Sequence, residues 1–282
     1  MHERRVGLLY IVVAALLWST GGIGIKAVVD PPLKVSFYRS LFAALTLFVI
    51  FRRDLRVRLS PAFIAAILSY AGCLTTFVTA TKWTTAANAI FLQYAGVVWV
   101  LLLSPIVLHE AMRRRDVIAI VVAMAGMALF FVGKFEARGM AGNGMALLSS
   151  VFFAMMILAL RREHASSRAA VTWGNVLLAI ALLPFVANDL AITRTSLLAF
   201  SFLGIIQIGL AYAFFVKGLR YVTATEASLT GMLEPVANPI WVLLFLGEKP
   251  SAFAIAGGVI VLAAIAWHTS QGEPVSELPA VD

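Results

Sequence analysis

Apolar residues dominate this chain in ten segments that are separated by short polar linkers. A helix needs about 20 predominantly apolar residues to cross a bilayer, and the segments approach or reach that length. The pattern therefore predicts an all-α membrane protein with ten transmembrane helices. The segments are roughly 6–29, 35–51, 62–81, 85–108, 117–134, 144–160, 169–187, 197–216, 223–246 and 252–268.

The ninth segment is unusually polar for a membrane helix. A carboxylate near the middle of such a helix costs about 2.5–3.5 kcal/mol and usually faces protein or a wet cavity. Prolines remove backbone donors, so the carbonyls that they free need partners inside the protein. We therefore expect a solute to bind beside this helix. Its polar and proline residues include Glu226, Glu234, Pro235, Asn238 and Pro239.

The first half of the chain contains a second copy of this segment. A shift of 138 residues without gaps places Thr85 on Thr223 and Ala86 on Ala224. Since each repeat has five spans, an odd number, the two repeats must lie in opposite orientations, which is a signature of secondary transporters. We predict a first five-helix repeat at 1–138, a second at 139–269 and a disordered tail at 270–282. The most loop-like stretch, 139–144, divides five spans from five.

Composition supports a membrane location. Hydrophobic residues make up 61% of the chain, charged residues make up 13%, and the mean hydropathy is +0.94, whereas a soluble domain is about 25% charged. The net charge of +8 comes from Lys and Arg in short loops, so it indicates topology rather than a nucleic-acid partner. Because the loops that are richer in Lys and Arg face the cytoplasm, both termini and the tail are predicted to be cytoplasmic.

The polar residues do not form an enzyme's active site. The four histidines lie at segment ends or in loops, no Asp lies within a segment, and Cys73 is the only cysteine. We therefore predict no catalysis, no metal and no cofactor. A channel is an alternative from another class, but it needs a ring of like groups or a filter-like segment, and the sequence contains neither. Saturable flux with counterflow would distinguish a carrier from a channel.

Candidate solute-binding residues centre on Glu234. Its carboxylate could serve as the counter-ion of an ammonium group or as a proton carrier. Alternatively, it could be a packing element that pairs with a backbone group or with Arg39. Gln93 and Tyr94 lie at the matching depth of the fourth segment, so we expect them to surround a wet cavity with Glu234 and Pro235.

Aromatic and cationic residues of other segments add candidates. Arg39 could bind a carboxylate or extend toward the membrane surface. Aromatic rings can hold cations and apolar groups, although membrane aromatics more often contact lipid or the protein core. The aromatic candidates are Trp18, Tyr38, Phe153 and Tyr212.

Four residues are predicted to act as gates or hinges. Asn88 and Glu226 are repeat equivalents near the entrances of their segments, where they could also cap helices. Pro235 and Pro239 allow the ninth helix to bend.

Two glutamates, Glu110 and Glu248, close the fourth and ninth segments. A carboxylate is unfavourable at a helix C-terminus. We therefore expect each to cap the next helix or to pair with Arg113 or Lys249.

These motifs resemble the EamA type of the drug/metabolite transporter superfamily over essentially residues 4–269. The stretches at 15–20 and 209–213 are most similar to YddG-type amino-acid exporters within that family. The first half keeps part of the pattern as Ala86, Ala89, Glu110 and Gly126, but it has Val97 in place of a proline and His109 in place of a glycine. The second half matches it as Ala224, Ala227, Leu233, Glu234, Pro235, Gly247, Glu248, Gly257 and Gly258.

The resemblance implies a multi-pass carrier of the bacterial inner membrane that exports amino acids or related metabolites by alternating access. The expected partners are a small-molecule substrate, a zwitterion in our interpretation, and the lipid bilayer. No nucleic acid is expected, and a monomer is compatible with this organisation. Exporters of small organic cations or drugs are the runner-up, and sugar phosphates come third because few cations lie deep in the segments.

Overall fold

The computed structural model describes residues 2–57, 59–133, 139–246 and 250–271, and every regular element within them is a helix. The expected roles of Gly247, Glu248 and Lys249 lie outside the described residues, as does nearly all of the predicted tail. The helices are α1 (His2–Trp18), α2 (Gly21–Lys26), α3 (Pro32–Phe51), α4 (Pro61–Trp83), α5 (Ala86–Gln93), α6 (Gly96–Val107), α7 (Arg114–Phe130), α8 (Met140–Arg162), α9 (Ser167–Val186), α10 (Arg194–Phe202), a π-helical segment (Leu203–Leu210), α11 (Ala211–Gly218), α12 (Ala224–Gly231), α13 (Leu233–Leu246) and α14 (Ala252–Ser270).

Eight helical stretches among the described residues are long and apolar enough to cross a membrane, and they correspond to eight of the predicted segments. The fifth predicted segment corresponds to α7, a helix of 17 residues. The ninth corresponds to α12 and α13, which are separated at Met232. The eight stretches are His2–Lys26, Pro32–Phe51, Pro61–Trp83, Ala86–Val107, Met140–Arg162, Ser167–Val186, Arg194–Gly218 and Ala252–Ser270.

The most extensive helix contacts join one half of the chain to the other. Helix α4 packs on α8, α7 on α14, α3 on α9, and α1 on α11. These pairs follow the repeat. In span order, α11 is the equivalent of α4 and α1 is the equivalent of α8, so the α1–α11 pair is the counterpart of the α4–α8 pair. The α7–α14 and α3–α9 pairs each join a helix to its own equivalent in the other half. Small residues permit this close approach; a Cβ on Gly218 would lie 2.7 Å from the carbonyl oxygen of Gly7.

The chain's polar contacts define two faces of the helix bundle. Arg4 Nη1 donates to the carbonyl oxygen of Thr269 at 3.0 Å, so the two ends of the described chain share one face, which we call the terminal face. On the opposite face, Lys34 Nζ lies 3.0 Å from a carboxylate oxygen of Asp189.

Helices α5 and α12 show the same repeat relation in detail. The 138-residue shift superimposes both ends of Ala86–Gln93 on Ala224–Gly231. Thr85 and Thr223 cap them, because their hydroxyls accept from the backbone N–H groups of Asn88 at 3.0 Å and Glu226 at 3.1 Å. Helix α12 begins beside Arg4 on the terminal face, whereas α5 begins on the opposite face. The matched helices thus enter the bundle from opposite faces, as inverted repeats require.

The expected loop at 139–144 is largely wrong, because α8 already begins at Met140. Gly139 adopts a left-handed backbone with φ of 76°, which glycine tolerates without a Cβ clash. A Cβ on Gly142 would lie 2.7 Å from the backbone nitrogen of Thr84. The glycines that looked like a linker therefore let α8 start tightly against the end of α4.

Candidate functional site

A narrow cavity lies where four helical stretches are interrupted, between α1 and α2, between α5 and α6, within the π-helical segment, and between α12 and α13. Irregular backbone at membrane depth is tolerated where it lines a cavity. The centre of a water molecule can occupy about 30 Å³ of the cavity. Its lining residues are Trp18, Arg39, Cys73, Leu74, Phe77, Gln93, Phe153, Gln207, Ile208, Tyr212 and Glu234.

Glu234 lies at the start of α13, and its carboxylate lies beside the hydroxyl of Tyr94. Tyr94 Oη is 2.9 Å from Glu234 Oε2 and 2.6 Å from the carbonyl oxygen of Gly231. Pro235 has no N–H to donate to that carbonyl, so the α12–α13 helix leaves it without its usual partner. The hydroxyl of Tyr94 takes the place of the missing backbone donor. This contact joins the breaks in the two matched helices.

Gln93 lines the cavity from the end of α5 and is fixed by polar groups of two long helices. Its Nε2 donates to Ser149 Oγ at 2.8 Å and lies 3.6 Å from Cys73 Sγ. Ser149 Oγ in turn lies 3.3 Å from the carbonyl oxygen of Cys73. The amide is therefore held by α4 and α8 while its side chain borders the cavity.

Arg39 is buried, with 2% of its surface exposed. Its Nη2 donates to Gln207 Oε1 at 2.7 Å. Among the described residues, Nε and Nη1 have no hydrogen-bond partner, and no carboxylate lies within 4.0 Å of the guanidinium. The arginine thus points into the bundle rather than extending to the membrane surface.

Three of the four predicted aromatic residues line the cavity, and the fourth does not. Trp18 and Tyr212 are in contact, with ring centroids 5.0 Å apart, and Phe153 lies beside Tyr94, with ring centroids 5.9 Å apart. Tyr38 instead stacks on Phe200 and donates to the carbonyl oxygen of Leu190 at 2.6 Å. Its hydroxyl therefore reaches the loop that follows α9.

The predicted gate residues form contacts between the two halves at the two faces. Asn88 Nδ2 donates to Asn143 Oδ1 at 3.0 Å and to Thr84 Oγ1 at 3.1 Å. Glu226 accepts from Arg4 Nε at 2.9 Å, and the pair is buried.

The two predicted hinge prolines lie in α13. Pro235 lies in the first turn of the helix, and Pro239 follows one turn later. Asn238 Nδ2 donates to the carbonyl oxygen of Ser19 at 3.2 Å, in the break between α1 and α2. The proline-containing turn is therefore attached to the break in the first span.

Glu110 has other partners than those expected. It pairs with Arg161 Nε at 2.9 Å, and its Oε2 accepts from the backbone N–H of Ala224 at 2.9 Å. It therefore caps α12, in the other half of the chain, rather than α7. The cap of α7 is Asp116, which accepts from the backbone N–H of Arg113 at 2.9 Å.

Sequence reasoning missed several residues of the site, including Gln207, Cys73 and Ser149. Gln207 lies in the π-helical segment, and π-helical turns occur frequently at functional sites. A lone glutamine within an apolar segment was the available signal for it, whereas nothing in the local sequence marks Cys73 or Ser149. Within the described part of the chain, no group of three or more His, Cys, Asp or Glu residues is arranged to hold a metal ion.

Comparisons with known proteins agree with this architecture. The EamA-like transporter family model matches the chain twice, over residues 5–132 and 140–270. A pseudopaline exporter, CntI, of Pseudomonas aeruginosa is 26% identical, with 92% of this chain and 94% of the relative covered. The uncharacterized inner membrane transporter YicL of Salmonella typhimurium is 26% identical, with 94% and 95% covered. An uncharacterized transporter of Archaeoglobus fulgidus is 24% identical, with 94% and 97% covered.

One solved crystal structure of a protein has the same fold, with a TM-score of 0.83 over 96% of this chain and 100% of that one. At 17% sequence identity, this likeness shows the fold alone. The double family match extends over both halves of the helix bundle and includes every residue that lines the cavity. This chain is a transporter that belongs to the EamA-like transporter family.

Proposed function

We propose that this protein is a secondary transporter that exports amino acids or related small metabolites by alternating access. The observation that carries the proposal is the setting of Glu234. Its carboxylate borders the cavity, and among the described residues its side chain is hydrogen-bonded by the hydroxyl of Tyr94 and by no cation. A buried carboxylate requires a partner of opposite charge or strong donors. The ammonium group of an amino acid supplies both.

The choice of amino acids over other metabolites rests on the resemblance to YddG-type exporters and on the walls of the cavity. Trp18, Phe153 and Tyr212 offer apolar and aromatic surface beside the charged groups. The exporter relative supports outward transport of a small metabolite.

We assign the protein to the bacterial inner membrane with ten spans, to which α7 and the α12–α13 pair contribute the fifth and ninth. The terminal face is cytoplasmic in this proposal. Cysteines placed at Arg56 and Asp189, both exposed and on opposite faces, are expected to react with an impermeant maleimide from opposite sides of the membrane. Reaction from the same side would overturn the ten-span topology.

Alternating access requires that contacts between the halves break at one face at a time. In the described state, contacts between the halves exist at both faces, through Arg4 and Glu226 on one and Asn88 and Asn143 on the other. The cavity between them is narrow. A solute larger than a few waters therefore enters only after one set of contacts opens.

The decisive experiment is uptake of labelled amino acids into proteoliposomes that contain the purified protein. We expect saturable uptake that is accelerated by unlabelled amino acid on the other side, because a carrier returns faster when loaded. Saturable uptake of a cationic dye with no uptake of any amino acid would instead support an exporter of organic cations, which the Glu234 carboxylate and the aromatic walls also suit. Flux that does not saturate would indicate a channel.

A further inference from the structure

We propose that Arg39 binds the carboxylate of the transported solute and that Gln207 holds Arg39 in position. The cavity would then select zwitterions over amines that carry the same side chain. This inference rests on the proposed function and adds to it the group that discriminates between solutes.

The first step is the unmet hydrogen-bonding capacity of Arg39. Two of its donor atoms, Nε and Nη1, have no partner among the described residues, although the side chain is buried and lines the cavity. A buried donor without a partner is costly, and a charged one more so. Carboxylates match guanidinium geometry and often bind it through two parallel hydrogen bonds. A solute carboxylate in the cavity would satisfy both atoms.

A second free donor lies on the same cavity. Trp18 Nε1 is buried and has no hydrogen-bond partner within the described part of the chain. A buried indole N–H usually finds an acceptor. Two donors without acceptors on one cavity indicate that an acceptor-rich group belongs there.

Gln207 explains how the guanidinium is held without being neutralised. Its Oε1 accepts from Arg39 Nη2 at 2.7 Å, and its Nε2 donates to the carbonyl oxygen of Trp18 at 3.3 Å. The amide fits because position 21 is glycine, where a Cβ would lie 2.6 Å from Gln207 Nε2. An amide orients an arginine but leaves its charge available, whereas a carboxylate at this position would compete with the solute. Gln207 is thus a positioning residue.

Glu234 provides the opposite charge on the same cavity. The two side chains are not ion-paired with each other within 4.0 Å, and neither has another ion-pair partner among the described residues. A buried arginine and a buried glutamate that stay apart across a cavity match a solute that carries an anionic and a cationic group. An amine would leave Arg39 unsatisfied, and a simple carboxylic acid would leave Glu234 unsatisfied.

The test compares the uptake of amino acids into proteoliposomes with the uptake of their decarboxylated amines. The pairs are leucine with isopentylamine and phenylalanine with phenethylamine. The uptake of the full panel of labelled amino acids is measured in the same experiment. In the parent protein we expect uptake of the preferred amino acid to exceed that of its amine by about 10- to 100-fold, as the loss of a charged hydrogen bond implies. Arg39→Gln is expected to abolish this preference by lowering amino-acid uptake far more than amine uptake.

The matched variant is Gln207→Glu, which preserves size and shape but places a carboxylate against Arg39. We expect it to lower the amino-acid preference by about tenfold or more, mainly through KM, while Gln207→Leu gives a smaller loss. Because Gln207→Glu is nearly isosteric, it tests the inference even where Arg39→Gln fails to fold.

Equal uptake of amino acid and amine by the parent, or an unchanged preference in Gln207→Glu, would overturn this inference while leaving the proposed function standing. No saturable uptake of any amino acid would overturn both.

Discussion

At the scale of single residues, the contact between Tyr94 and the α12–α13 break determines how the site is built. The hydroxyl has one hydrogen, yet two acceptors lie within hydrogen-bonding distance, the Gly231 carbonyl and the Glu234 carboxyl group. When Tyr94 donates to the carbonyl, Glu234 can bond to it only by carrying a proton itself. The protonation of Glu234 therefore determines whether the Tyr94 hydroxyl can donate to the carbonyl at the helix break and still bond to Glu234.

We expect Glu234→Gln to reduce amino-acid uptake at least tenfold while leaving the folded yield nearly unchanged. The amide keeps the shape and can still bond to Tyr94, but it no longer supplies a countercharge. Initial uptake rates and size-exclusion profiles measure the two effects. Uptake at the parent rate would show that the ninth-span carboxylate has only a packing role.

The Tyr94→Phe variant distinguishes the role of the hydroxyl from that of the ring, because it removes the first and keeps the second. We expect a loss of about 1–3 kcal/mol in unfolding free energy, because the Gly231 carbonyl, which Pro235 leaves without a backbone donor, also loses the hydroxyl, together with reduced uptake. Tyr94→Ala would be less informative, since removing a side chain that is 1% exposed also leaves a void that costs about 3–5 kcal/mol. A Tyr94→Phe variant as stable and active as the parent would contradict this assignment.

Much of the cavity lining could be predicted from the sequence, because a polar residue in an apolar membrane segment must face protein or water. Glu234, Gln93 and Arg39 satisfy that argument. Tyr38 shows its limit: it precedes Arg39 on α3, yet Arg39 lines the cavity while Tyr38 packs on Phe200. Which of two neighbours faces inward depends on packing between distant segments, which one sequence does not reveal.

At the scale of helices, the site depends on interruptions rather than on the helices themselves. The breaks after α5 and after α12 fall at equivalent positions, although a proline follows the break in α12 alone, where Pro235 corresponds to Val97 in the other repeat. Proline therefore does not by itself determine where the chain breaks. The threonine caps and the repeat relation could be predicted from the sequence, but the π-helical segment could not, because its sequence is as apolar as that of the helices around it.

We expect Pro235→Ala to slow turnover more than it weakens binding. The new N–H could donate to the Gly231 carbonyl, displace the Tyr94 hydroxyl and straighten the helix. The maximal rate and the half-saturation concentration of uptake measure the two effects separately. Pro239→Ala, one turn farther along the same helix, is the matched control, and an equal effect of both variants would argue against a special role of the first proline.

Gly142→Ala and Gly144→Ala form a matched pair within one helix. A Cβ at position 142 would meet the backbone of Thr84, whereas position 144 has open space around it. We expect the first substitution to lower stability by about 1–3 kcal/mol through overpacking and the second to be neutral or stabilising by up to about 1 kcal/mol. Thermal unfolding in detergent measures both; similar Tm values would contradict the close approach of α8 to α4.

At the scale of the whole molecule, the most extensive helix contacts lie between the two halves rather than within either half. The helix pairs α4–α8, α7–α14, α3–α9 and α1–α11 each combine one helix of the first half with one of the second. The duplication could be predicted from a shared polar frame at one register. The pairing of helices could not, because nearly uniform apolar surfaces contain little information about which partner they contact.

On the terminal face, removing one member of the Arg4–Glu226 pair should be costly. We expect Arg4→Gln or Glu226→Gln to lower stability by about 3–5 kcal/mol, since each breaks a buried ion pair by removing one member. The double variant should lose less than the sum of the two. Unfolding free energies complete this cycle, with the exposed Glu3→Gln as control, and strictly additive losses would show that the pair is not coupled.

On the opposite face, Asp30 should make stability depend on pH. Burial alone would raise the pKa of Asp30, but the hydroxyl of Ser196 at 2.6 Å and the ammonium of Lys34 outweigh burial and hold the pKa below its usual value. The lowered pKa of Asp30 stabilises the folded protein at pH values above the pKa of Asp30 in the unfolded chain, which is about 3.9. This stabilisation is lost as the pH falls through the lower pKa that Asp30 has in the folded protein. We expect the Tm difference between the parent and Asp30→Asn to be largest near neutral pH and to shrink toward pH 3. A difference that is constant with pH would contradict the pairing.

The contacts of Glu226 and Asn88 have a consequence for the energetics of the transport cycle. If the two repeats were identical, the pseudo-two-fold axis would convert the inward-facing state into the outward-facing one, and both would have the same free energy. Here one face is closed by an ion pair and the other by amide groups at equivalent positions, so the two end states are not degenerate. In the proposed alternating-access cycle, the empty carrier accordingly has a preferred resting orientation. This asymmetry does not set the net direction of transport, which is determined by the gradients across the membrane.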